Sequence, residues 1–289
     1  MAQHAEGSYY VPHGTKWPIV GSLGMITMLA SAAAWMNGSA TAQLTFWLGL
    51  VILIFMMFGW FGTVIRESQA GLYNDQVDGS FRLGMSWFIY SEVMFFAVFF
   101  GALFYTRALV VPWLGGAGSG EITNELLWQG YTSAWPTNGP ANVGGEFGTI
   151  PAFGIPFINT LILLTSGLTI TLAHHALKKE NRTGLIFWLA ATVILGFIFV
   201  YFQVGEYVEA YTELGLTLGS GIYGATFFML TGFHGLHVTL GAIMLTVIMF
   251  RAMAGHFKPR NHFAFEAVAW YWHFVDVVWL GLFIFVYAL

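Results

Sequence analysis

Seven long apolar runs divide the chain, at roughly 17–36, 44–65, 83–106, 153–177, 184–205, 222–250 and 263–287, with polar residues gathered between them. Each run reaches or exceeds the ~20 residues that an α-helix needs to cross the hydrocarbon core of a bilayer. The runs are continuous, whereas strands of a membrane barrel alternate apolar and polar positions in segments of about 10 residues. The pattern predicts an all-α, polytopic membrane protein with seven transmembrane helices. Ser31-Ala32-Ala33-Ala34 has the small-residue character of a signal-peptide cleavage site, but the segment ahead of it carries a single Lys, Lys16, and the run reads as a span.

Composition sharpens this picture. Residues are 57% hydrophobic, 18% aromatic and 8% charged, against roughly 25% charged in a soluble domain. There is no cysteine, which excludes disulfides, thiolate metal sites and cysteine nucleophiles. The net charge is −4 with no basic tail or stripe, so nucleic acid is not an expected partner.

The basic residues predict the orientation. Lys16 precedes the first span; Arg66 and Arg82 flank the loop between spans two and three. Lys178, Lys179 and Arg182 lie between spans four and five, and Arg251, Lys258 and Arg260 between spans six and seven. With seven spans all of these share one side, and only Arg107 falls on the other. The positive-inside rule then predicts a cytoplasmic N-terminus and an outer C-terminus. The opposite face is acidic, with Glu121, Glu125, Glu146, Glu206, Glu209 and Glu213. An outer segment at about 109–152 is rich in Gly, Pro and Trp; loops of this length are usually functional or covered by a partner.

Ionisable residues inside a membrane are costly and each needs a reason. Glu92 lies in the middle of the third span. It reads either as a proton-exchanging carboxyl or as a neutral acid bonded to a neighbouring helix. His234 and His237 share a face of the sixth span, and His273 and Asp276 share one of the seventh, both at i, i+3. These four suit a metal or haem site, or hydrogen bonding between helices. Gln203 and Glu206, near the outer end of the fifth span, are expected at the interface. His174 and His175 are adjacent, about 100° apart on a helix, so they do not readily ligate one ion; an interfacial role is expected. Arg66, Arg251 and His256 end spans on the basic side, where cations bind lipid phosphates or simply snorkel. P-loop, H-E-x-x-H and G-x-S-x-G signatures are absent.

Several stretches together resemble cytochrome c oxidase subunit III of the bacterial kind. The longest is Phe265-Glu266-Ala267-Val268-Ala269-Trp270-Tyr271-Trp272-His273-Phe274-Val275-Asp276 and its continuation to Leu280. Others are Tyr223-Gly224-Ala225-Thr226-Phe227-Phe228, Gly232-Phe233-His234-Gly235-Leu236-His237, Ser91-Glu92-Val93-Met94-Phe95-Phe96, Ala173-His174-His175-Ala176 and Val64-Ile65-Arg66-Glu67-Ser68. They occur in family order from the second span to the C-terminus.

The resemblance implies a non-redox subunit of a proton-pumping oxidase in a bacterial inner membrane, which packs on subunit I and supports proton uptake there. Haem and copper belong to partner subunits I and II, with cytochrome c as donor to the complex and structural phospholipids as the only ligands of this chain. It implies two groups, the N-terminal segment with helices 1 and 2 (1–72) and helices 3 to 7 (73–289), separated by a V-shaped cleft filled with lipid. Glu92 corresponds to the buried carboxylate facing that cleft. Arg66 and Arg251, with Trp60 and His256 beside them, correspond to the lipid-headgroup sites. His234, His237, His273 and Asp276 become structural polar residues, and neither a catalytic residue nor a metal is expected in the chain. Two departures stand out: Gln69-Ala70-Gly71-Leu72-Tyr73-Asn74 replaces a His pair that often follows the Arg-Glu-Ser, and the outer segment is long. His4 and His13 are candidates for the proton entrance of subunit I. The alternatives are the matching subunit of a quinol oxidase, which typically lacks the first two helices, and a stand-alone proton-coupled transporter.

Overall fold

The computed structural model describes Tyr10 and residues 14–289; His4 and His13 lie outside the described residues. The chain divides into two compact units, one up to Arg82 and the other from Leu83. Among the described residues, seven helices are long and apolar enough to cross a membrane, as the apolar runs predicted. The chain is a multi-span membrane protein.

In the first unit, α1 (Trp17–Met36) and α2 (Ala42–Gln69) form a tight hairpin. Its buried helical residues are small: Gly24, Ser31, Ala42 and Gly49. The large apolar side chains point outwards, with Leu44 77% and Phe58 74% exposed. That inverts the pattern of a water-soluble hairpin and fits one solvated by lipid, where small residues let helices approach. The backbones come close at Gly49, where a Cβ would stand 2.5 Å from the Met28 nitrogen. Two hydrogen bonds fasten the pair, Ser31 Oγ to Thr45 Oγ1 at 2.8 Å and Trp17 Nε1 to Thr63 Oγ1 at 3.1 Å.

The third span, α3, runs Asp75–Tyr105, two turns earlier than its apolar run. Local polar chemistry explains the extension. The Asn74 side chain accepts from the Val77 N–H at 3.0 Å, which caps orphan donors of the first turn. Asp75 and Asp78 face the positive end of the helix dipole, and Arg82 pairs with Asp78 at 2.7 Å.

In the second unit, α6 (Ile155–Lys178), α7 (Arg182–Thr212), α8 (Gly221–Met253) and α9 (Phe263–Leu282) form a closed ring, each packed on the next and α9 back on α6. The Asn181 side chain starts α7 by accepting from the Gly184 N–H. The part of α3 from Leu83 lies against this ring through aromatic contacts, Phe95 with Phe233 and Phe96 with Phe274.

Trp272 of α9 is completely buried. Its indole N–H donates to Ser166 Oγ on α6 at 2.8 Å. The ring lies so close to Gly196 of α7 and Gly241 of α8 that a Cβ on either would come within 2.8 Å of it. About two turns later, Trp279 repeats the bond to α6 through Thr160 Oγ1 at 2.9 Å.

The segment at about 109–152 is ordered around short elements, α4 (Val111–Leu114) and α5 (Glu121–Leu127). Its irregular remainder is tied to the loop and first turn that lead into α8. Tyr223 N donates to Thr137 O at 3.2 Å and Gly148 N to Leu214 O at 2.7 Å. Gly221, at φ +60°, lets the chain pass Asn138, whose backbone oxygen would be 2.4 Å from a Cβ there.

Removing the central indole tests this packing. Trp272→Ala should cost about 3–5 kcal/mol, the usual range for a large aromatic truncated in a core. The loss should appear as a lowered melting temperature of the purified, membrane-extracted protein.

Candidate functional site

Glu92 of α3 and His237 of α8 meet inside the second unit, Oε2 to Nε2 at 2.9 Å. Their side chains are 21% and 12% exposed. His237 Nδ1 lies 2.6 Å from the Phe233 carbonyl. A carbonyl only accepts, so Nδ1 carries the hydrogen and the neutral ring offers a bare Nε2 to Glu92. A proton shared between Oε2 and Nε2 would leave the pair without net charge, which is how a carboxyl is tolerated in a span. Aromatic rings wall the site: Phe96 is edge-on to His237 at 5.0 Å and Tyr271 is stacked on it at 6.3 Å. The Tyr271 hydroxyl donates to the His237 carbonyl at 3.3 Å. The arrangement is suited to holding and passing a single proton.

The other intramembrane residues go to separate partners. His234 is fully buried, and its Nε2 lies 3.1 Å from the Val275 carbonyl of α9. The ring is enclosed by Phe199 and Trp279. His273 Nε2 is 3.4 Å from Thr171 Oγ1. Asp276 lies against Gly167, where a Cβ would be 2.9 Å from Oδ2, and its Oδ1 has no hydrogen-bond partner. Equal spacing along a helix thus does not bring His234 and His237 to a common centre.

The basic candidates differ in their surroundings. Arg66 is exposed and folds back on its own helix, donating to the Gly62 carbonyl at 3.2 Å and to Thr63 Oγ1 at 3.3 Å. Trp60, one turn and a half earlier, is half exposed and stacked on Phe61. In the divergent stretch after α2, the Tyr73 hydroxyl donates to Glu67 at 2.7 Å. Burial, and then the hydrogen bond and charge of Glu67, hold the Tyr73 phenol well above its usual range. Arg251 of α8 lies over the Phe257 ring at 4.8 Å, and its Nε lacks a hydrogen-bond partner. His256 follows the end of α8, its N–H donating to the Arg251 carbonyl at 3.0 Å.

Gln203 and Glu206, in the last three turns of α7, are 6% and 1% exposed and face the inside of the bundle. The Tyr287 hydroxyl donates to Glu206 Oε1 at 2.6 Å, and Gln203 Nε2 donates to the Thr231 carbonyl at 2.8 Å. His174 turns inwards too, 3.2 Å from His262 and 3.4 Å from Glu266. The i, i+4 spacing of His262 and Glu266 is visible in the sequence; their meeting with His174, from another helix, is not.

Comparison with known proteins bears on the whole chain. A family model described as "Cytochrome c oxidase subunit III" matches residues 7–119 and 130–289. Proteins named "Cytochrome c oxidase subunit 3" are similar over nearly their full length. That of Carassius auratus is 38% identical over 285 residues, covering 98% of each chain. That of Papio hamadryas is 39% identical over 287 residues, again covering 98% of each.

The contact between Glu92 and His237 makes two substitutions unequal. Glu92→Gln retains an amide that can donate to His237 Nε2, whereas Glu92→Leu leaves that buried nitrogen unpaired. The second should be the less stable by about 1–3 kcal/mol, measured by thermal denaturation. Both should remove the same carboxyl band from the infrared difference spectrum.

Proposed function

The chain belongs to the cytochrome c oxidase subunit III family, and from that premise we propose that it is the non-redox subunit of a proton-pumping cytochrome c oxidase. It is a subunit of an oxidoreductase complex of the respiratory chain. In our reading it carries no redox centre itself; haem and copper reside in subunits I and II, and cytochrome c delivers electrons to the complex. The observation that carries the reading is the full-length match, which includes both units and all seven spans. The relatives named above are cytochrome c oxidase subunits, and this favours the cytochrome c oxidase over the quinol oxidase.

The role we assign is to stabilise subunit I, to hold phospholipid and to support proton uptake. Arg66 with Trp60, and Arg251 with His256, are the proposed lipid-headgroup contacts. Both arginines lie near the end of a span, where cations can meet lipid phosphates. Glu92 is the proposed proton-handling carboxyl, supported by its 2.9 Å contact with His237. His234, His273 and Asp276 are read as structural, each engaging a neighbouring helix. The membrane we propose is a bacterial inner membrane, with the N-terminus on the cytoplasmic side, in keeping with nine of the ten Lys and Arg residues falling on one side of the seven spans.

Purification of the native complex should bring down this chain together with haem-bearing partners that oxidise cytochrome c. Oxidation of quinol but not of cytochrome c would overturn the choice of oxidase. Arg66→Ala combined with Arg251→Ala should release bound phospholipid, read by native mass spectrometry; unchanged lipid would sink the headgroup assignment. Glu92→Gln should leave the first turnovers nearly intact, while depletion of the whole chain should shorten the working lifetime of the enzyme more than its initial rate.

A further inference from the structure

Three potential ligands meet where the basic-side ends of α6 and α9 come together. His174 lies in the last turn of α6, His262 is the N-cap residue of α9, and Glu266 follows one turn later on the same face. His174 Nε2 and His262 Nε2 are 3.2 Å apart, His262 Nε2 and Glu266 Oε1 are 3.2 Å apart, and His174 Nε2 and Glu266 Oε1 are 3.4 Å apart. The three donor atoms form a nearly equilateral triangle. A tetrahedral metal with bonds of about 2.0–2.1 Å sets its ligand atoms about 3.3 Å apart.

The hydrogen-bond pattern around the triangle also suits a cation. His262 Nδ1 lies 3.1 Å from the Lys258 carbonyl. Because a carbonyl only accepts, the hydrogen sits on Nδ1 and Nε2 presents a lone pair. That is the usual orienting bond of a metal-bound histidine. The lone pair then faces the Glu266 carboxylate, and a positive centre among the three atoms, a proton or a metal ion, relieves the repulsion. The side chains of His262 and Glu266 are 8% and 12% exposed, and that of His174 is 25% exposed. The His174 side thus leaves an entry and a fourth position for water.

We propose that His174, His262 and Glu266 form a binding site for a divalent transition-metal ion, with zinc the best match to two imidazoles and one carboxylate. Two neutral imidazoles and one carboxylate leave the loaded site with one net positive charge. Lys178, one turn beyond His174, adds a repulsive charge. The site is therefore an exchangeable one that loads from added zinc, not a buried structural centre. Binding displaces protons from its ligands, so affinity rises with pH.

The test uses the assembled oxidase complex. It is stripped with a chelator, incubated with zinc chloride, desalted and assayed for zinc relative to haem iron by mass spectrometry. The wild type should retain one zinc per complex more than His262→Asn or Glu266→Gln, and His175→Asn should match the wild type. Equal zinc in the wild type and in both site variants overturns the proposal and leaves a shared proton in its place. If the variants fail to assemble, zinc-edge anomalous scattering from zinc-soaked wild-type crystals decides. A peak within bonding distance of all three atoms supports the site, and no peak there overturns it.

Discussion

The burial of one indole sets the geometry of the second unit. Trp272 fits at the centre of the ring only because each facing helix yields: α7 and α8 supply glycines, Gly196 and Gly241, and α6 supplies the hydroxyl of Ser166. In lipid, burying apolar area against a neighbouring helix yields little, since the tails are equally apolar. Close packing and polar fasteners must then hold the helices, and Trp272 contributes both from one side chain. Trp279 and Thr160 repeat the device farther along α9. The hairpin of the first unit obeys the same constraint with smaller parts, Gly49 against Met28 and Ser31 against Thr45.

The scarcity of water also governs the ionisable groups. Two acids are matched to a neighbour that can share or supply a proton: Glu92 to His237 and Glu206 to Tyr287. Neither partner is a lysine or arginine, which would fix the acid in its charged form. A carboxyl bonded to an imidazole remains able to exchange its proton without leaving a charge stranded in the bilayer. The same logic places the His174, His262 and Glu266 group near the ends of helices, where entry from the aqueous side is short.

The spans were legible because a bilayer demands long apolar runs, and no other constraint on the chain is so simple. Their ends were not: the polar first turns of α3 look like loop until Asn74, Asp78 and Arg82 are seen to cap and brace a helix. Gln203 and Glu206 lie near the end of their apolar run, and only the packing of α7 shows them facing the inside of the bundle. Candidate residues could be picked one at a time by the cost of placing charge in lipid, which singled out Glu92. Its partner could not, because His237 is 145 residues away and only the packing of α3 on α8 chooses it over His234. The arrangement of His174 with His262 escaped notice for the same reason, while the family was readable from the order of its motifs.

The segment at about 109–152 has one further meaning, for how the protein is made. Its anchors, Leu214, Gly221 and Tyr223, are all encoded after it. Until those residues emerge, the backbone bonds of Thr137 and Gly148 to them cannot form. Order of synthesis thus becomes order of maturation: the segment is made first and docks only once the chain has reached the start of α8.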